Sequence, residues 1–184
     1  MPPAHSRTLN ALGLFGLAGI LLVAFAYQFI LGELPCPLCL LQRAAFAAAG
    51  VGLALNVSVG SRPSHYAITI ISALAGALIS GRQVLLHIVP GSGSYGSALF
   101  GLHFYTWALI AFGLTIFAAA MLLMFDTQSA SGSTPVVSHR FSSAGAVAVL
   151  FFTTMVLANA VLTFAECGIG LCPDDPKGYE LFGR

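Results

Sequence analysis

Charge is what this sequence has least of. Only 7% of its 184 residues are Asp, Glu, Lys or Arg, against about 25% in a soluble globular domain, so water is not the main solvent for this chain. The formal net charge is +1 and the pI near 7.7. No run of Lys and Arg of the kind that tracks phosphates occurs, so nothing points to a nucleic-acid partner. No internal repeat is visible, and no connection between apolar runs is long enough to hold a soluble domain. Cysteine is scarce too: there are four, at positions 36, 39, 167 and 172.

Apolar residues fill the rest, 58% of the chain with a mean hydropathy of +0.92. A helix needs about 20 mostly apolar residues to cross a bilayer, because lipid offers the backbone no hydrogen-bond partner. Five stretches qualify: roughly Ala11 to Leu31, Pro37 to Val57, Ala67 to Val89, Phe104 to Phe125 and Ala144 to Ala165. The second opens with the polar Gln42 and Arg43 and is the weakest of the five. The turns between them, such as "GELPC" and "SVGSRPSHY", are built of Gly, Ser and Pro. The expected fold is all-α, a polytopic helical bundle forming one integral membrane domain over residues 1–184, with 166–184 as a tail. The first run, ending near "AFA", imitates a secretory signal. It continues past Ala26 to Leu31, however, and is expected to stay as an uncleaved anchor.

Lysine and arginine in short loops set orientation. Arg7, Arg62 and Arg140 fall on one side; the other receives "GELPC", a third loop without Lys or Arg, and a tail with four acids against Lys177 and Arg184. The N-terminus is therefore expected in the cytoplasm and the tail outside. Cys36 and Cys39 follow the first span and Cys167 and Cys172 the fifth, so both pairs share one face whichever way the chain inserts. By the charge rule that face is the oxidising one.

In "ELPCPLCLLQR", Pro37 suits the first turn of a helix. Cys39 then falls in that turn, where free N–H groups and the helix dipole favour a thiolate. Arg43 lies four residues on, roughly on the same face. A close pair of this kind is a labile redox disulfide, half of a metal site or a structural staple. The arginine and the boundary position favour the redox reading.

"CPLCLLQR" after a first span resembles the DsbB family of disulfide-bond formation proteins. "FGLHFYTWALI" is similar to that family's entry to its last core helix, and "GRQVLLH" to the end of its third span. The resemblance extends over spans one to four, about Ala11 to Phe125. It implies a four-helix DsbB-like core in the bacterial inner (cytoplasmic) membrane, here with a fifth transmembrane helix. It also implies transfer of electrons from a periplasmic thioredoxin-fold oxidase of the DsbA type to ubiquinone or menaquinone. Cys36 and Cys39 would be the quinone-linked pair, with Cys39 in charge-transfer or covalent contact with quinone and Arg43 binding and polarising a quinone carbonyl.

The chain also departs from that pattern. Better-known members carry a second cysteine pair between the third and fourth spans, where "PGSGSYGSALFGLHFYTW" has none. The other pair here, Cys167 and Cys172, follows the fifth span. It is either a relay that meets the soluble partner and passes electrons from it to Cys36–Cys39, or a local disulfide clipping a four-residue turn. A relay requires span five to pack beside the mouth of spans one and two.

Other polar groups carry two readings each. Arg82 is a quinone-site or paired charge, or it snorkels to the surface. His87 hydrogen-bonds a quinone carbonyl or takes up protons, or it is simply solvated. His103 is expected in water, and Trp107 with Tyr105 in the aromatic belt rather than stacked on quinone. Gly13, Gly16 and Gly19 are expected to let helices pack closely. Glu33 pairs with Arg43, assists proton movement or sits solvated in its turn. Rival functions are a membrane metal protein holding zinc with all four thiolates, an inert scaffold, and a reductive quinone-linked thiol enzyme like the vitamin K epoxide reductase group.

Overall fold

The structure, a computed structural model, describes residues 3–89, 91, 93–129 and 143–183. Arg140 and Arg184, used in the charge count, lie outside the described residues. Five helices follow in order: α1 Pro3–Ile30, α2 Pro37–Val59, α3 Pro63–Leu86, α4 Phe104–Ser129 and α5 Ser143–Cys167. All five are long and apolar enough to cross a membrane. Pro37 and Pro63 open α2 and α3, each preceded by an extended residue, because a proline lacks only an N–H that the first turn leaves unpaired in any case. Between α3 and α4 the chain forms a short antiparallel hairpin, β1 Ala98–Leu99 with β2 Leu102–His103. Its tip holds Phe100 and Gly101 at positive φ, 51° and 79°, the pairing that a two-residue hairpin turn needs.

Helix α2 packs on α1 and α3, α3 on α4, and α5 lies outside against α1 and α2. The core runs along α1, α2 and the faces turned to them, with Leu14, Leu21, Phe46, Ala49 and Phe112 nearly or fully buried. Phe46 and Phe112 stack with ring centroids 3.8 Å apart. Glycines admit the closest approaches. A Cβ on Gly52 would collide with the His65 carbonyl oxygen and Thr69, one on Gly76 with the Phe112 ring, and one on Gly50 with the Phe152 ring. The expected glycine stripe of α1 behaves otherwise. Gly13 faces Leu53, but Gly16 and Gly19 meet nothing and open onto a cavity.

Several helices extend beyond the apolar runs, because polar residues pair inside the bundle instead of ending it. At the end remote from the cysteines, Ser6 Oγ and Tyr66 Oη each donate to Asp126 Oδ2 at 2.6 Å. Asn10 Nδ2 donates to Tyr66 Oη at 2.9 Å, and Asn56 Nδ2 to Asn10 Oδ1 at 3.0 Å. This network ties α1 to α4 together where hydropathy alone places solvent.

Candidate functional site

Cys36 is the N-cap of α2, and its Sγ accepts the Cys39 N–H at 3.2 Å. The two sulfurs form a disulfide across a Cα–Cα distance of 5.0 Å. The halves differ in setting: Cys36 is buried, whereas Cys39 lines an apolar cavity. Behind them stands Gln83 of α3, 1% exposed. Its Nε2 donates to Cys36 Sγ at 3.3 Å and approaches Cys39 Sγ at 3.7 Å. Gln42 Nε2, on α2, holds the Gln83 Oε1 at 2.8 Å and so fixes which end of the amide faces the sulfurs.

The cavity measures about 510 Å³, within the range of small-molecule sites. Its walls come from α1 (Gly16, Gly19, Ala24), α2 (Cys39, Arg43, Phe46) and α4 (Phe104, Trp107, Ala111). It fills the gap where α1 and α4 make little direct contact. Arg43 is 9% exposed. Its Nη1 donates to Gln28 Oε1 at 2.7 Å and its Nη2 to the Ala24 carbonyl at 3.2 Å, over the Phe25 ring. An arginine that is desolvated yet hydrogen-bonded keeps its charge for whatever enters the cavity.

The loop from α3 to α4 roofs this space. Glu33 accepts from the Ser97 hydroxyl and from the Ser97 N–H, so it clasps the roof and does not hydrogen-bond Arg43. Tyr95 donates to the Leu34 carbonyl at 2.9 Å. Burial, then the carboxylates of Asp175, Glu166 and Glu33, push the Tyr95 phenol above its ordinary range, so it remains a donor through neutral pH. Trp107 Nε1 donates to the Leu99 carbonyl at 2.9 Å.

Cys167 and Cys172 form the second disulfide, with Cα atoms 4.5 Å apart. Cys167 is the last residue of α5 and not two residues past it, because the helix ends at Gly168, with φ +61° and its N–H bonded to the Phe164 carbonyl. Ile169 and Leu171, inside the closed turn, are almost wholly exposed. The neighbouring Glu166 is buried and interacts electrostatically with Arg43. Beyond the turn the tail folds back, and Gln28 Nε2 donates to Tyr179 Oη at 3.1 Å. The residue before Cys167 thus bears on the arginine that shares the cavity wall with Cys39.

His87 caps α3, its Nδ1 2.8 Å from the Gln83 carbonyl and its ring stacked on Tyr105; it does not line the cavity, although Tyr105 does. His103 stacks on the same tyrosine. Arg82 is exposed and borders a separate shallow groove with Leu78 and Leu85. Among the described residues no three His, Cys, Asp or Glu side chains are grouped to hold a metal. Sequence reasoning noted Gln42 only as a polar residue opening the second span and passed over Gln28, Gln83, Glu166 and Tyr179. For the three glutamines the available signal was a polar side chain inside an apolar span, which is costly unless paired; Glu166 and Tyr179, beyond the last apolar run, carried no such signal. Gln83 sits between the two residues of "GRQVLLH" that drew notice.

Five membrane-length helices around a two-cysteine disulfide that opens on an apolar cavity define a class, that of multi-pass helical membrane proteins with a redox-capable thiol pair. Within that class residues 6–95 match the family model described as Disulfide bond formation protein DsbB. The chain is 37% identical over 89 residues to a Disulfide bond formation protein B of Marinobacter nauticus, covering 46% of this chain and 53% of the relative. It is 37% identical over 84 residues to that of Xanthomonas oryzae pv. oryzae, covering 43% and 49%. The chain spans about half the length of the curated relatives it matches. No solved structure matches it significantly. The matched segment holds all but the first residues of α1, the whole of α2 and α3, and Cys36, Cys39 and Arg43; α4, α5 and the tail pair lie outside it.

Proposed function

We propose that this chain is a quinone-dependent protein-disulfide oxidoreductase of the bacterial inner membrane. It reoxidises a periplasmic DsbA-type dithiol oxidase and so supports disulfide-bond formation. One observation carries this reading: Cys39 and Arg43 open onto the same apolar cavity, while Cys36 is held behind them. The chain acts as a single integral membrane domain, its N-terminus cytoplasmic and its tail periplasmic, so both disulfides sit in the oxidising compartment.

In the first half-reaction a thiolate of the reduced partner attacks the Cys167–Cys172 disulfide and forms a mixed disulfide. The partner's second thiolate resolves it. The partner leaves oxidised, and two electrons and two protons stay here as a dithiol. Exchange with Cys36–Cys39 moves that dithiol inward and restores the tail disulfide. Ubiquinone or menaquinone, seated in the cavity, supplies a two-electron, two-proton acceptor. Cys39 presents its sulfur to that space, Arg43 offers a fixed positive charge to a carbonyl oxygen, and the apolar wall excludes water. The Cys39 N–H and the Gln83 amide stabilise negative charge on Cys36 whenever the disulfide is open. His87 and Arg82, off the cavity wall, serve at most from behind Tyr105 and at the lipid surface.

The test is quinone reduction by dithiothreitol in the purified protein. Cys36→Ser and Cys39→Ser each abolish turnover. Arg43→Ala raises the quinone concentration needed roughly tenfold, as loss of one charge-assisted hydrogen bond implies. Normal turnover in the double Cys36→Ser/Cys39→Ser variant sinks the reading.

A further inference from the structure

Arg43 lines the cavity, and its two hydrogen-bond acceptors, Gln28 Oε1 and the Ala24 carbonyl, lie within the family-matched segment, but two groups that bear on this arrangement come from outside it. Gln28 accepts from Nη1 at 2.7 Å. The same carboxamide donates its Nε2 to Tyr179 Oη at 3.1 Å. The guanidinium, a donor only, selects the amide orientation with Oε1 towards it, and the phenol oxygen then anchors the Nε2 end. Were the amide to rotate, it would present N–H groups to N–H groups. Glu166, the penultimate residue of α5, is 1% exposed and its Oε2 has no hydrogen-bond partner among the described residues. A buried carboxyl group with an oxygen lacking hydrogen bonds is costly unless a cation compensates it, and Arg43 is near enough to attract it.

We propose that Glu166 and Tyr179 are positioning residues for Arg43. The fifth helix and the tail hold the guanidinium where it lines the cavity, Glu166 by charge attraction and Tyr179 through the Gln28 amide. Neither residue lines the cavity, so neither touches an occupant. The Cys167–Cys172 disulfide closes the turn between them, which fixes where the tail starts on its way back to Gln28. Span five thereby contributes to the site even though its sequence is an addition to the matched segment.

For its kinetic arm this inference rests on the reading of the cavity as a quinone site; its second arm does not. Full-length wild type, Glu166→Gln, Tyr179→Phe and Arg43→Ala are compared with dithiothreitol as donor and decylubiquinone as acceptor. The two near-isosteric variants raise KM for decylubiquinone roughly fivefold or more while kcat stays within about twofold. In parallel, modification of Arg43 by phenylglyoxal is followed by mass spectrometry. It accelerates about threefold or more in both variants, because a loosened guanidinium leaves its buried partners more often. Wild-type KM together with a wild-type modification rate in both variants overturns the inference. If Arg43→Ala leaves KM unchanged, the quinone reading of the cavity has failed. The modification rate then decides the positioning by itself: faster supports it, unchanged overturns it. A purely structural role lowers kcat through lost folded enzyme and leaves KM where it was.

Discussion

Gln83 is a single carboxamide in an apolar helix, and it supplies the hydrogen bond that reaches both sulfurs of the first pair. Its two ends do different work: Oε1 is held by Gln42 and Nε2 is given to Cys36. An N–H donor on sulfur favours thiolate over thiol, so Gln83 tunes how readily the opened pair reacts. Replacing it with Leu should slow iodoacetamide alkylation of the reduced pair at neutral pH by roughly tenfold, the factor that one hydrogen bond to a charged group is worth. The pair should still close to a disulfide on oxidation. An unchanged alkylation rate would remove Gln83 from the site. Nothing in the spelling of residues 82 to 87 ranked Gln83 above Arg82 or His87, since all three are polar in an apolar run. The helical phase decided between them: Gln83 points into the bundle, Arg82 points outward, and His87 turns back on its own helix.

At the scale of elements, glycine has two opposite uses here, and only the packing tells them apart. Gly52 lets α2 and α3 touch backbone to side chain, with no room for a methyl group. Gly52→Ala should therefore cost about 1–3 kcal/mol, the usual cost of overpacking, read as a lower melting temperature in detergent. Gly19 borders empty space. Gly19→Leu should leave that melting temperature within a degree or two. On the proposed quinone reading it should also raise KM for decylubiquinone several-fold by filling part of the cavity. A large loss of stability from Gly19→Leu, or none from Gly52→Ala, would show the two roles to be misassigned. The helices themselves were legible, because a run of some 20 apolar residues has one solution in lipid. Their ends were less so. Ser6, Asn10, Asn56 and Asp126 look like water-facing termini, yet they satisfy one another inside the bundle.

At the scale of the whole molecule, α5 seats on α1 and α2, the position that the relay reading required. Its final turn brings Cys167 and Glu166 to the end of the bundle where Cys36, Cys39 and Arg43 lie. With a DsbA-type dithiol as donor, the double variant Cys167→Ser/Cys172→Ser should lose at least about tenfold in rate, since thiol exchange must then begin at the buried Cys36 or the cavity-facing Cys39. An undiminished rate would end the relay reading. Composition alone determined that this is a multi-pass membrane bundle: with so few charges and five apolar runs, no aqueous fold buries enough surface. The spacing Cys-Pro-x-Cys with an arginine one turn on also determined the local chemistry, since proline, helix start and i to i+4 phase are properties of neighbours in the chain. What only the tertiary structure decided is which distant groups meet at the sulfurs and at the arginine. Gln83, Gln28, Glu166 and Tyr179 come from α3, α1, α5 and the tail, and their convergence depends on which helix faces pack together, a choice that hydropathy leaves open because lipid and protein interior are equally apolar.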